Sequence, residues 1–109
     1  MNYGHNVSGN ATVSTQTSGD IIAAPGTGIV MHIQKVAISV SVVAASSTVA
    51  LDDGTTTYWK VATADDTIGM AWTLDFGDAG FALAANKALK LTVAGGNATA
   101  YAMAVGYTR

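Results

Sequence analysis

The stretch that decides the fold of this chain is residues 98–109, which read Ala98-Thr99-Ala100-Tyr101-Ala102-Met103-Ala104-Val105-Gly106-Tyr107-Thr108-Arg109. Small residues alternate here with large ones, and a period of two is typical of a β-strand, whose successive side chains point to opposite faces. The large face of this strand is expected to fill a core. The bare face would let another backbone, sheet or subunit come close. This pattern favours assembly over catalysis.

The composition predicts one small domain whose surface is covered by other proteins. The chain has 109 residues, of which 50% are hydrophobic and only 11% are charged. An average soluble domain has about 25% charged residues. Charged residues are depleted at the centre of protein interfaces, so the low charge favours a surface that partners cover. The alternative is that Thr, Ser, Asn and Gly residues solvate this surface.

Charge, apolar run length and cysteine content argue against several classes of function. The net charge of −2 does not provide the basic footprint of a nucleic-acid-binding protein. No apolar run reaches the roughly 18 residues that indicate a membrane-spanning helix. The chain contains no cysteine, which excludes disulfides and thiolate metal sites and fits synthesis in a cytoplasm. We therefore expect neither a nucleic-acid partner nor a membrane partner.

Short apolar segments at regular spacing predict an all-β fold, a single compact β-sandwich or jelly roll of about seven or eight strands. The longest segment, residues 29–43, changes the parity of its apolar positions at Gln34-Lys35, which predicts a β-bulge that keeps both sets on one face. Asp52-Asp53-Gly54 predicts a hairpin turn. The alanine-rich stretch 78–90 leaves an alternative open, because Asp78 could cap a helix there.

The first residues of the chain are mostly polar or glycine. Such a segment cannot bury enough surface to order itself, so we predict a flexible N-terminal arm over 1–12 and a sandwich domain over 13–109. Pairing of the arm with an exposed strand edge of a partner would order it. The residues expected to contact other subunits or the capsid come from the arm and from the small-residue face of the last strand: Asn2, Tyr3, His5, Val7, Ala100, Ala102 and Ala104.

The order of turns and apolar strands resembles a known family. The segments that carry the resemblance are 19–28 (GDIIAAPGTG), 30–38 (VMHIQKVAI), 47–51 (STVAL), 80–83 (GFAL), 88–91 (ALKL) and 105–107 (VGY). Together, over residues 13–109, they resemble the small jelly-roll-like capsid decoration (cement) proteins of tailed bacteriophages. The resemblance implies a homotrimer that sits on the capsid surface of the virion after synthesis in the host cytoplasm. It also implies binding to the major capsid protein across neighbouring shell subunits, and it transfers no catalytic residue.

Residues capable of chemistry do not form a recognisable catalytic or metal-binding pattern. His5 and His32 are far apart in sequence and have no ligand spacing. The pairs Asp52-Asp53 and Asp65-Asp66 lack the spacing of a calcium loop. No serine lies in the Gly-x-Ser-x-Gly motif of a nucleophile elbow. We therefore expect a protein that is not an enzyme and that holds no metal or other cofactor.

Three aromatic residues leave a second function open. Tyr58, Trp59 and Trp72 could stack on sugars, as a binding platform would. Tyr58 and Trp59 are predicted on opposite faces of one strand, however, and Trp72 shares its parity with apolar neighbours that indicate a core position. The alternative to the capsid role is therefore a phage fibre or receptor-binding module that recognises a surface glycan.

Overall fold

The described residues form nine strands in two antiparallel sheets. A computed structural model describes residues 5–14, 17–41, 47–63, 70–95 and 98–108. Sheet A contains, in spatial order, β1 (Asn6–Ser14), β9 (Thr99–Thr108), β3 (Met31–Val40) and β6 (Met70–Asp75), and the short β7 (Phe81–Ala82) also pairs with β3. Sheet B contains β2 (Ser18–Ile22), β8 (Leu89–Ala94), β4 (Ser47–Asp52) and β5 (Thr57–Thr63). The predicted all-β fold is confirmed.

The pairing of the strands defines a jelly roll. β4 pairs with β5 as a hairpin, and around it β3 pairs with β6, β2 with β8, and β1 with β9. This nested series amounts to one long hairpin rolled up so that its successive pairs alternate between two sheets. The resulting orders, 1-9-3-6 and 2-8-4-5, are those of a jelly roll of eight main strands.

The predicted bulge in the longest strand is present. The pairing of β3 with β9 shifts between Ile33 and Lys35 and leaves Gln34 as the extra residue. Because of this insertion, the apolar residues on both sides of the bulge face the core, and all of them are buried: Met31, Ile33, Val36, Ile38 and Val40. Gln34 accepts a backbone hydrogen bond from Phe76 and donates one from Nε2 to the Asp78 carbonyl oxygen, at 2.8 and 2.7 Å. The bulge thus anchors the turn that follows β6.

The last strand faces the core with its small side, which is the opposite of the expectation. Ala100, Ala102 and Ala104 are 0–3% exposed and belong to the core cluster. β9 packs against β8 of sheet B, and the core side of β8 carries the large residues Leu89, Leu91 and Val93, all buried. Two sheets about 10 Å apart cannot both present large side chains at one place, so the alanines of β9 make room for β8.

The loops follow the predicted turn chemistry. After β4, the buried Asp53 accepts backbone hydrogen bonds from Thr55 and Thr56 and one from the Tyr58 hydroxyl, at 2.7–2.8 Å. These bonds, led by that of Thr56, hold the pKa of Asp53 below its usual range. The loop between β6 and β8, residues 76–88, contains turns and β7 and no helix. The helix alternative over 78–90 is therefore wrong.

The segment expected to be a flexible arm takes part in sheet A. All nine residues of β1 pair with β9, from Asn6 opposite Tyr107 to Ser14 opposite Thr99. The expected boundary at residue 12 falls inside this strand. Its inward side carries Val7, Ala11 and the buried Val13, and a Cβ atom at Gly9 would collide with the Ile21 carbonyl oxygen. Backbone pairing with a strand edge, which was expected from a partner, is supplied here by the chain's own β9.

Candidate functional site

The outer face of sheet A carries a row of exposed apolar side chains. Tyr101, Met103 and Val105 of β9 are 39%, 50% and 46% exposed, and we call these three residues the apolar row. They lie on a strand that has a neighbour on each side, β1 and β3, so the row runs along the middle of the sheet. Contiguous exposed apolar surface is typical of sites that bind other molecules.

The strand beside the apolar row presents two short side chains and one long one. In the register of β3 with β9, Ser39 lies opposite Tyr101, Ala37 opposite Met103 and Lys35 opposite Val105. At Tyr101 and Met103, the side chains of β9 therefore stand higher than those of the neighbouring β3, whereas at Val105 the Lys35 side chain is the longer of the two. Two shallow depressions, of about 190 and 180 Å³, are both lined by Ala37 and Met103. They exist because the methyl group of Ala37 does not fill the space beside Met103.

Polar residues border the apolar row. On one side, β1 places Thr12, Asn10 and Ser8 opposite Tyr101, Met103 and Val105. On the other side, β6 contributes Thr73 and Asp75, and the Asp75 carboxylate lies 4.0 Å from the Lys35 ammonium group. An apolar centre with a polar rim and little charge is the usual anatomy of a protein–protein interface.

Sheet B has a different outer face, which is polar and internally paired. Lys90 Nζ donates a hydrogen bond to Asp20 at 2.7 Å, and Thr92 Oγ1 donates one to Asp52 at 2.6 Å. The bond to Asp20 raises the pKa of Lys90 above its usual range. These residues lie on neighbouring strands in register, Asp20 with Lys90 and Lys90 with Asp52. This face is suited to contact with water, unlike the apolar row on sheet A.

The aromatic residues proposed as a sugar platform instead help to close one side of the sandwich. Trp59 of β5 and Trp72 of β6 meet edge to face, with ring centroids 5.6 Å apart, although β5 and β6 belong to different sheets. Tyr58 contacts Phe81 at 5.1 Å. Both residues of β5 therefore pack inward, because the pairing of β4 with β5 shifts next to Tyr58. The two tryptophans are half-buried against the core, so their ring faces do not form an open platform.

The residues predicted to contact other subunits are distributed differently from the expectation. Asn2 and Tyr3 lie outside the described residues. The main chain of His5 exchanges hydrogen bonds with Thr108, and Val7 packs against the core. Ala100, Ala102 and Ala104 are core residues and are inaccessible to a partner. The exposed side chains of the same strand are those at the alternate positions, Tyr101, Met103 and Val105.

The other chemical candidates do not come together. His32 stacks on Tyr107, with ring centroids 4.8 Å apart and ring planes 5° from parallel. Among the residues that the structure describes, no group of three or more His, Asp or Glu side chains could hold a metal ion. Asp65 and Asp66 lie outside those residues. The same described ranges contain no helix that is long and apolar enough to cross a membrane.

The sequence matches no protein-family model and no curated protein, but several solved structures are similar to the chain. A Bacillus endospore appendage protein, from appendages described as disulfide-linked pili, is 12% identical, with a TM-score of 0.50 over 98% of this chain and 91% of its own. PirA is 14% identical, with a TM-score of 0.49 over 92% of each chain. The SPBc2 prophage-derived protein YomS is 14% identical, with a TM-score of 0.41 over 91% of this chain and 95% of its own. At this level of identity, the appendage protein shares the fold alone.

Proposed function

We propose that this protein is a structural component of a tailed-bacteriophage virion, a capsid decoration protein that binds across neighbouring shell subunits and stabilises the shell. The observation that carries this proposal is the exposed apolar row, Tyr101, Met103 and Val105, in the middle of one sheet. A surface of this kind is disfavoured in water by roughly 25 cal/mol per Å² of apolar area. Its presence on a chain with so few charges favours a protein that works in contact with other protein chains.

The type of partner follows from the resemblance of residues 13–109 to capsid decoration proteins. The major capsid protein is the proposed partner, and the virion surface is the proposed location. One argument for the homotrimer that the resemblance implies no longer holds, because the alanine face of β9 lies in the core. Self-association, which remains part of the proposal, would have to use another surface.

The test is to locate the protein on virions and to measure its binding to shells. Purified virions of the phage that encodes the chain would be imaged by electron cryomicroscopy, and shells lacking the protein would be titrated with the purified chain. We expect density on the outer capsid surface and saturable binding to shells. Density confined to tail fibres, together with binding to host surface glycans and none to shells, would establish the fibre alternative in its place.

A further inference from the structure

We infer that the outer face of sheet A docks against the same face of a second copy of this chain, about a two-fold axis that runs along the strands between β9 and β3. The inference rests on the proposed assembly role, since it names the partner of the surface that carries that role.

The relief of the face is self-complementary around Met103 and Tyr101. A two-fold axis between β9 and β3 places the β9 column of each copy over the β3 column of the other copy. Met103, which is 50% exposed, then lies over the partner copy's β3 at Ala37, where the shallow depressions are. The other two members of the apolar row lie over Lys35 and Ser39, by the same register. High positions therefore meet low ones at Met103 and Tyr101, whereas Val105 meets the stem of Lys35, whose ammonium group lies 4.0 Å from Asp75. A patch that fits a second copy of itself in this way can form an isologous interface.

The charges of the face do not oppose this pairing. Apart from His32, the outer positions of the described strands of sheet A carry one cation, Lys35, and one anion, Asp75. The two groups lie 4.0 Å apart and cancel each other. Two copies of this face therefore approach without net repulsion. The sheet A contact strips water from this one ion pair, whereas contact through the outer face of sheet B would strip water from Asp20, Asp52 and Lys90.

The extent of the face is sufficient for a specific but modest interface. Four strands about 4.8 Å apart with about 30 Å of paired length give roughly 570 Å² per copy, or about 1,100 Å² for the pair. A biological interface is expected to exceed about 1,000 Å² in total. The area lies close to this limit, so the expected dissociation constant is in the micromolar range.

Such a dimer would explain how the protein can bind across neighbouring shell subunits. Pairing through sheet A leaves both copies of sheet B and of the loops exposed on opposite sides of the two-fold axis. A particle with two identical outer surfaces can engage two shell subunits at once, and this second contact raises the overall affinity without any new kind of interaction. Binding across neighbouring subunits is the action expected of a decoration protein.

The first experiment measures the mass of the purified chain by sedimentation equilibrium over a concentration series. We expect twice the 11.0 kDa of the chain at high concentration and dissociation on dilution. Met103→Lys should weaken the dimer at least about tenfold, because two buried cations would face apolar surface. The matched control is Ala94→Lys, which adds the same charge at an exposed position of the central strand of sheet B and should leave the mass unchanged.

The second experiment exchanges the high and low positions. Met103→Ala alone removes the knob, and Ala37→Met alone sets one methionine against another, so each single variant should weaken the dimer. The double variant, Met103→Ala with Ala37→Met, should restore it, because each new methionine lies over the alanine of the other copy. Circular dichroism would verify that all variants keep their strands.

The outcomes separate this inference from the proposed function. A wild-type chain that stays monomeric at hundreds of micromolar, or a trimer, or a dimer that Met103→Lys leaves intact, would overturn the two-fold docking. None of these results would remove the protein from the capsid surface in the electron micrographs. Conversely, a chain that dimerises as described but is found only on tail fibres would leave the docking intact and overturn the capsid role.

Discussion

Replacing Gly106 with alanine should destabilise this fold far more than one added methyl group normally does. Gly106 faces the core in β9 opposite Ile33, beside the bulge of β3. A Cβ atom there would come closer than 3.0 Å to the carbonyl oxygen of His32, and within 3.1 and 3.2 Å of His32 C and Ile33 Cα. All three atoms belong to a backbone that is hydrogen-bonded in the centre of sheet A, so no flexible side chain can move aside.

The size of the effect follows from what must move. Restoring ordinary contact requires β3 and β9 to separate by an amount that breaks about two ladder hydrogen bonds, which together with buried unpaired groups costs about 3–5 kcal/mol. Alanine in a strand recovers about 0.5–1 kcal/mol relative to glycine. We expect the free energy of unfolding to fall by about 2–4 kcal/mol, and Tm to fall by about 8–16 °C at about 4 °C per kcal/mol.

A matched control is provided by Gly19 of β2. A Cβ atom at Gly19 would meet only Val13 Cγ2, at 3.2 Å, and this atom is a side-chain methyl group and not part of the backbone. Gly19→Ala should therefore change stability by less than about 1 kcal/mol. Urea denaturation of both variants would measure the difference. If Gly106→Ala unfolds at the same urea concentration as Gly19→Ala, the close approach of β3 and β9 at the bulge is refuted.

Four further predictions concern the turn after β4 and the tryptophan pair. Asp53→Ala should lower the free energy of unfolding by about 2–4 kcal/mol, because two backbone N–H groups and the Tyr58 hydroxyl lose a charged partner; an unchanged urea midpoint would contradict this. The pKa of Asp53 is lower in the folded than in the unfolded state. Its contribution to the free energy of unfolding is therefore present above the ordinary pKa of 3.8 and should be lost as the pH falls below that value. Acid titration of the wild type and of Asp53→Ala would measure this difference. Burial, followed by the bond to Asp53, raises the pKa of Tyr58 to about 12, so stability should decline between the ordinary value of 10.0 and about 12, and Tyr58→Phe should remove that decline. Trp72→Ala should lower the free energy of unfolding by about 2 kcal/mol, which is less than the roughly 3–5 kcal/mol expected for a fully buried aromatic residue. The effect is smaller because Trp72 is half-buried at the side of the sandwich. A decrease near zero would show that the contact of Trp72 with Trp59 does not stabilise the fold.

The elements of this fold were predictable where one face of a strand is polar. In β8, Lys90 and Thr92 alternate with large apolar residues, so the inward side could be read from the sequence. In β3, the apolar positions change parity, and only an extra residue at Gln34 lets both sets face one core. The bulge and the hairpin at Asp52-Asp53-Gly54 were therefore predicted correctly, because each depends on local rules of register and turn conformation.

The orientation of β9 was not predictable by the same rules. Both of its faces are apolar, so the alternation identified a strand but did not say which side is inward. That choice depends on the volume of β8 across the core, which is set by the packing of the two sheets and not by the local sequence. The prediction of contact residues on β9 was wrong for the same reason, since it assigned Ala102 to the surface and Met103 to the core. The sequence of β8 contained a signal that could have identified the inward side of β9. β8 has a clear inward face, and the residues on that face are large: Leu89, Leu91 and Val93.

The position of β9 in sheet A also determines how the chain can fold during synthesis. β9 is the last of the described strands to leave the ribosome, yet it lies between β1 and β3. Until it arrives, these two strands have no common neighbour, and the pair Asn6 and Tyr107 joins parts of the chain that are made at opposite times. Folding dominated by such distant contacts is slow, on the order of milliseconds to seconds. A chain interrupted before β9 would lose the middle of a sheet and expose the core side of β8, so incomplete products should aggregate.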